Sequence, residues 1–174
     1  MVKLLSRRAR DMITLPEAMR WKRWICAGLG SGWLPAMPGT WGTLAALLPA
    51  WLLLQWLGVP GLLLAAVLLL GLGCWLCAGV LSLQDNKDPG WVVIDEWVGI
   101  WLCIVVASLV AELSWWLWLL SFVAFRLFDI WKPGPVAWCE RNGPVWWTIM
   151  ADDVMAGLLG GMLVATLLWI SGSI

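Results

Sequence analysis

The chain has no histidine and no tyrosine among its 174 residues. Without an imidazole, Ser-His-Asp triads and lipid phosphatases that use a histidine nucleophile are excluded. Charge is scarce too: 13% of residues are charged and 62% hydrophobic, where a soluble domain is about a quarter charged and half apolar. A water-surrounded globule is therefore a poor fit, and the composition points to one compact membrane bundle. The net charge of zero offers no basic surface for nucleic acid. The five cysteines form no secreted disulfide framework. Cys74 and Cys77 make a CxxC, but inside an apolar helical run with no second ligand pair, so they read as small core residues. No DxD and no Cys-x5-Arg loop is present, which argues against a covalent phospho-enzyme on those patterns. No short apolar region with a small-residue cleavage site follows the basic N-terminus, so no removable signal peptide is expected.

What the chain does have is apolar length, broken at regular intervals. No charged residue occurs between Trp24 and Gln84. Residues 28–43, rich in glycine and proline, are too irregular for a spanning helix. They read as a re-entrant or interfacial loop, or as a plain connector. Spans are expected over 43–57, 62–83, 91–110, 115–131 and 152–170, giving an all-α, polytopic membrane helix bundle of about five spanning helices. Residues 1–27 form a basic N-terminal segment. Thr14, Pro16 and Glu17 suggest a helix start there, leading into an interfacial helix over 18–27; a solvated positive tail is the other reading. The membrane-embedded domain is then 28–174.

Seven of the eleven basic residues lie within Met1–Arg23. If each span crosses once and the N-terminus is cytoplasmic, Lys87, Arg126, Lys132 and Arg141 fall on the same side. The opposite turns, 58–61 and 111–114, carry no lysine or arginine, as the positive-inside rule requires. The same threading gathers Thr40, Asp95, Glu96, Arg126, Asp129, Lys132, Asp152 and Asp153 at one end.

A charge at the centre of a membrane helix costs roughly 2.5–3.5 kcal/mol on insertion scales, so such residues tend to be retained for a function. Clustered carboxylates repel one another unless a cation neutralises them, and a hard divalent ion with oxygen ligands does so. Arg126 and Asp129, three residues apart, share a helix face. Asp95 and Glu96 are adjacent and leave a helix about 100° apart, so converging on one point requires different side-chain reach. A metal, a base and cationic groups beside lipid headgroups suggest phosphoryl chemistry on a lipid. Asp152 and Asp153 at a helix N-terminus would also meet the dipole favourably, and Asp152 reads equally well that way. Glu140 and Arg141 read as a solvated loop. Two other classes stay open: a cation channel or transporter with an acidic site, and a lipid phosphotransferase.

Four stretches carry a family resemblance: Pro38-Gly39-Thr40-Trp41-Gly42, Asp88 with Asp95-Glu96-Trp97-Val98-Gly99, Phe125 to Pro133, and Ile149 to Gly157, with Arg141-Asn142 in addition. Together they resemble the phosphatidylglycerophosphatase A family over nearly the whole chain beyond the basic N-terminus. The resemblance implies Mg²⁺-dependent hydrolysis of phosphatidylglycerophosphate in a bacterial inner membrane, with the site on the cytoplasmic side. It implies a phospholipid substrate, and catalytic roles among Asp95, Glu96, Asp129 and Asp153. Metal ligands come from Asp95, Glu96, Asp129, Asp152 and Asp153, and substrate contacts from Thr40, Arg126, Lys132 and Arg141.

Overall fold

The computed structural model describes residues 19–82 and 89–171. The expected cap around Thr14 to Glu17 and the loop acids Asp85 and Asp88, with Lys87, lie outside the described residues. Within them the chain is all-helical and contains no strand. In order come α1 (Arg20–Cys26), a 3-10 segment (Gly28–Trp33), α2 (Pro38–Leu81), α3 (Ile94–Ala107), α4 (Trp115–Trp131), α5 (Gly134–Arg141) and α6 (Val145–Ile170).

α2 consists of two helices joined by a sharp reversal at Gly58, where φ is 65° and ψ is −169°. Only glycine adopts that conformation without strain. A straight helix would hold Gly42 and Gly73 roughly 46 Å apart. Yet a Cβ at Gly42 would lie 2.6 Å from Val93 Cβ, and one at Gly73 would lie 3.7 Å from Ile94 Cδ1. The two halves are therefore antiparallel and meet the start of α3 together. The first half buries Gly42, Thr43, Ala46, Ala50 and Leu54 at helical spacing. It leaves Leu44, Leu48, Trp51, Leu52 and Trp56 exposed. Small residues inside and large apolar ones outside are the pattern of a helix packed within a membrane.

α3 is the centre of the molecule, with eleven of its fourteen residues buried. The indole N–H of Trp101, on α3, donates to the Ala46 carbonyl of α2 at 2.9 Å. The Val93 N–H donates to the Cys26 carbonyl at 2.8 Å, tying α1 to the entrance of α3. On the other side, α6 crosses α3 at Gly157, where an added Cβ would overlap the Gly99 carbonyl. One turn further, Gly161 faces the Cys103 carbonyl. α4 starts from Ser114, whose hydroxyl accepts from the Leu117 N–H at 3.3 Å. It packs back so that Phe125 sits against both Gly99 and Gly160.

Several boundaries differ from the sequence expectation. The glycine-rich stretch forms the 3-10 segment and a bend, and α2 begins at Pro38 rather than Thr43. α3 begins at Ile94 and ends at Ala107, three residues inside each expected limit. The region 134–150, expected as loop, contains α5 and the first turns of α6. Pro144 precedes α6, so the helix starts before the tryptophan pair 146–147 rather than after it. Asp152 and Asp153 thus lie beyond the first turn, and the helix-dipole reading of that pair falls away. Two helices, α2 and α6, are long and apolar enough to cross a membrane by length and composition. α3 and α4, at 14 and 17 residues, are shorter than the roughly 20 that a lone spanning helix needs.

Candidate active site

The helix crossings determine where the polar groups go. α3 and α6 run parallel, and Gly99 and Gly157 let their backbones touch. One turn before the crossing, Asp95 and Glu96 leave α3 and Asp153 leaves α6. One carboxylate oxygen from each of the three falls within 4.8 Å of the others. Glu96 reaches the point it shares with Asp95 through its extra methylene, which resolves the 100° divergence of adjacent helical residues. Asp95 is further fixed by accepting the Glu96 N–H at 3.0 Å.

α4 runs antiparallel to both and ends at the same place. Arg126 Nη1 lies 2.6 Å from Asp129 Oδ2, both side chains being about one-sixth exposed. The pair is close but misaligned, so Nη1 and Nε of Arg126 are buried without a hydrogen-bond partner. Glu96 Oε2 is likewise buried and unpartnered. Gly39, in the first turn of α2, fits beside them: a Cβ there would lie 2.5 Å from Glu96 Oε1 and 3.0 Å from Arg126 Nη1.

At its C-terminus α4 closes with Lys132 in the left-handed conformation, φ 48° and ψ 60°, unusual for a residue with a Cβ. Its ammonium donates to Glu140 Oε1 at 2.6 Å and to Asp152 Oδ2 at 2.8 Å. Burial alone would lower the Lys132 pKa; the hydrogen bonds to Asp152 and Glu140 outweigh it and hold the ammonium above its usual range.

These groups line one cavity of about 450 Å³. Its wall carries six carboxylates (Asp95, Glu96, Asp129, Glu140, Asp152 and Asp153) and two cations, Arg126 and Lys132. Fully ionised, it would hold a formal charge of −4, which asks for a bound cation. The donor set is all oxygen and already converged, and one oxygen lacks any partner. Such a set suits a hard divalent ion. The unpartnered edge of Arg126 suits a phosphate oxygen.

Of the residues singled out from sequence, seven line the cavity: Asp95, Glu96, Arg126, Asp129, Lys132, Asp152 and Asp153. Thr40 and Arg141 are not part of its lining. Gly39 touches Glu96 and Arg126 in place of Thr40, and Arg141 donates to its own helix, at the Ala137 carbonyl, at 3.0 Å. Two polar lining residues, Glu140 and Thr148, were not among the expected site residues. Glu140 reads as solvated in a loop, yet α5 folds it back onto Lys132. Thr148 sits in a turn of α6 that reads as irregular. The signal available for Glu140 was its acid type eight residues after Lys132, across two prolines. Cys77 is buried and Cys74 half-buried, and both are free thiols.

Residues 24–168 match the family described as Phosphatidylglycerophosphatase A. The chain is 37% identical over 138 residues to the phosphatidylglycerophosphatase A of Escherichia coli strain K12, covering 78% of this chain and 76% of that one. It is 36% identical over 140 residues to the Haemophilus influenzae protein of the same name, covering 80% and 84%. A Bacteroides thetaiotaomicron protein named as a candidate phosphatidylinositol-3-phosphatase is 36% identical over 156 residues, covering 85% and 94%. No solved structure matches the chain. With its acidic cavity inside the matched region, the chain belongs to the phosphatidylglycerophosphatase A family and is a phosphatase.

Proposed function

We propose that the cavity hydrolyses the terminal phosphate monoester of phosphatidylglycerophosphate, releasing phosphatidylglycerol and inorganic phosphate. The observation that carries this reading is the meeting of three carboxylates, two buried and one half-buried, within 4.8 Å beside the Arg126 guanidinium, whose Nε is buried without a hydrogen-bond partner. Asp95, Glu96 and Asp153 are the residues that would hold Mg²⁺, with Asp129 and Asp152 completing its surroundings. When bound, the ion lowers the pKa of a water and offsets charge on the phosphoryl oxygens. Arg126 orients the phosphate through its guanidinium, held by Asp129 with Nε left free of a hydrogen bond, and Lys132, anchored by Glu140 and Asp152, supplies a second positive charge. A carboxylate of the cluster takes the proton of the attacking water. The shape of the site favours hydrolysis over ion passage, because the acids gather at one end of the helices rather than along a path.

The proposed setting is the bacterial inner membrane, crossed five times: by each half of α2, and by α3, α4 and α6. α3 can be short because its neighbours bury it almost entirely, whereas α4 exposes Trp115, Leu119, Val123, Leu127 and Ile130 along its outer face. Exposed Trp56, Trp115, Trp116 and Trp169 at one end, and Trp41, Trp131, Trp138 and Trp147 at the other, suit two interfacial belts. All described basic residues lie at the cavity end, which supports a cytoplasmic N-terminus and site. The purified chain, reconstituted with phosphatidylglycerophosphate, is expected to release inorganic phosphate with Mg²⁺ and to stop with EDTA. Ion flux through liposomes without phosphate release would overturn the reading, and a phosphorylated alcohol as product would turn it to transfer.

A further inference from the structure

The cavity that holds the phosphate chemistry is lined mostly by charge, so the acyl-glycerol part of a lipid substrate has to leave it by an apolar route. The rim offers one. Val145 and Ile149, one turn apart on α6, line the cavity on the side facing α2. Val145 also lines a second, apolar crevice of about 230 Å³, whose other walls are Ala78, Leu81, Ser82 and Trp146. The two spaces therefore adjoin at Val145, whose side chain borders both.

The helices themselves explain why an opening exists there. α2 and α6 touch at Gly73, where a Cβ would lie 2.6 Å from Met150 Cε. Toward the cavity end the crevice lies between them, and its α2 wall carries the small side chains of Ala78 and Ser82, where a larger one would fill the slot. Trp146, 38% exposed, forms the outer wall with the ring type that settles at the lipid–water boundary. A crevice of similar size, about 220 Å³, lies at Arg20, Arg23, Trp24 and Trp33. It shares no lining residue with the cavity.

We propose that the crevice between the C-terminal end of α2 and the first turn of α6 receives the acyl-glycerol portion of the substrate, which enters sideways from the membrane while its phosphate reaches Arg126. Its volume suits the beginning of an acyl chain, with the remainder left in the bilayer. This assignment rests on the lipid-phosphatase reading of the cavity and adds to it the route by which the lipid arrives.

The test compares phosphatidylglycerophosphate bearing two oleoyl chains with the dihexanoyl form, in the full-length protein. Filling the slot by Ala78→Trp, or less drastically by Ser82→Leu, is expected to lower the ratio of kcat/KM for dioleoyl over dihexanoyl substrate. A drop of about tenfold corresponds to losing contact with a couple of buried methylenes. Independently, a lipid carrying a diazirine near the carbonyl end of its acyl chain is expected to label the wild-type protein at 78–82 and 145–146. An unchanged ratio in the folded variants, or labelling confined to α4 or to α1, would overturn the assignment. If the wild type releases phosphate from both lipids while the ratio stays flat, the route is wrong and the lipid-phosphatase reading stands. Release from neither lipid overturns that reading, and the assignment with it.

Discussion

The two ends of the bundle differ in a way that volume alone would misrank. At the far end, Val59 of α2 and residues 108–113 line an open hollow of about 790 Å³. The cavity at the other end is smaller, about 450 Å³. The larger space contains a single ionisable side chain, Glu112, whereas the smaller one contains eight. Hollow space arises wherever helices splay at a turn. Converging carboxylates against their own repulsion requires a close helix crossing with acids one turn away, as Gly99 and Gly157 provide for Asp95 and Asp153. The comparison is broken most directly by removing charge at each end. Asp95→Asn, Glu96→Gln and Asp153→Asn are each expected to lower phosphate release by about 10²–10³-fold, the loss typical of a group that stabilises charge in a transition state. Glu112→Gln is expected to change it by less than about twofold, as surface substitutions do. A cluster variant that retains full turnover, or a Glu112 variant that loses it, would reverse the assignment of the ends.

The next effect concerns the crossing rather than the acids. Gly157 has no room for a side chain, because the Gly99 carbonyl occupies the place of its Cβ. Gly157→Leu must push α6 away from α3, at a cost of about 1–3 kcal/mol from overpacking. It also moves Asp153 out of reach of Asp95 and Glu96. The expected result is a lower unfolding midpoint in detergent together with loss of activity. Gly71 is the control, since a Cβ there meets nothing within 4 Å. Gly71→Ala is expected to stabilise the helix by about 0.5–1 kcal/mol and leave activity intact. Equal effects at the two glycines would show that helix propensity, not the crossing, governs both.

A third variant separates charge from shape. Arg126→Lys keeps the positive charge and removes the planar fork, whose Nε is buried without a hydrogen-bond partner. Losing one of two parallel phosphate contacts is expected to raise KM about tenfold. An unchanged KM would mean that Arg126 serves Asp129 alone.

The acidic cluster was legible in sequence because membrane chains rarely retain unpaired charges, so Asp95, Glu96 and Asp129 stood out against a nearly uncharged background. The reversal at Gly58 was legible for a related reason, as glycine and proline mark where an apolar run turns. The helical nature of 134–150 was not. Its prolines suggested a loop, but Pro133 and Pro144 sit just before helices, where a missing N–H does no harm. The shift moved Asp152 and Asp153 from a helix end to its interior. The roles of Gly39 and Glu140 were hidden for a different reason: each depends on which element folds against it, and no local pattern carries that information.

The smallest expected effect lies at Glu140, the lining acid that sequence reading left in solvent. Its ion pair with Lys132 is short, 2.6 Å, but the Glu140 side chain is 45% exposed. Water screens such a pair, so Glu140→Gln is expected to cost about 0.2–1 kcal/mol in stability. Lys132 keeps Asp152 as its partner in the variant, so turnover falls little unless the lysine swings away. The pH dependence distinguishes an ion pair from a packing contact. The Lys132 pKa is raised in the folded state, so its contribution is fully present below the ordinary lysine value of about 10.4 and is lost as pH rises through the folded value. The gap between wild-type and variant unfolding midpoints is therefore expected to be constant between about pH 7 and 9 and to begin closing above about pH 10.4. A gap that persists undiminished in stronger alkali would assign the effect to packing of α5 rather than to the charge on Lys132.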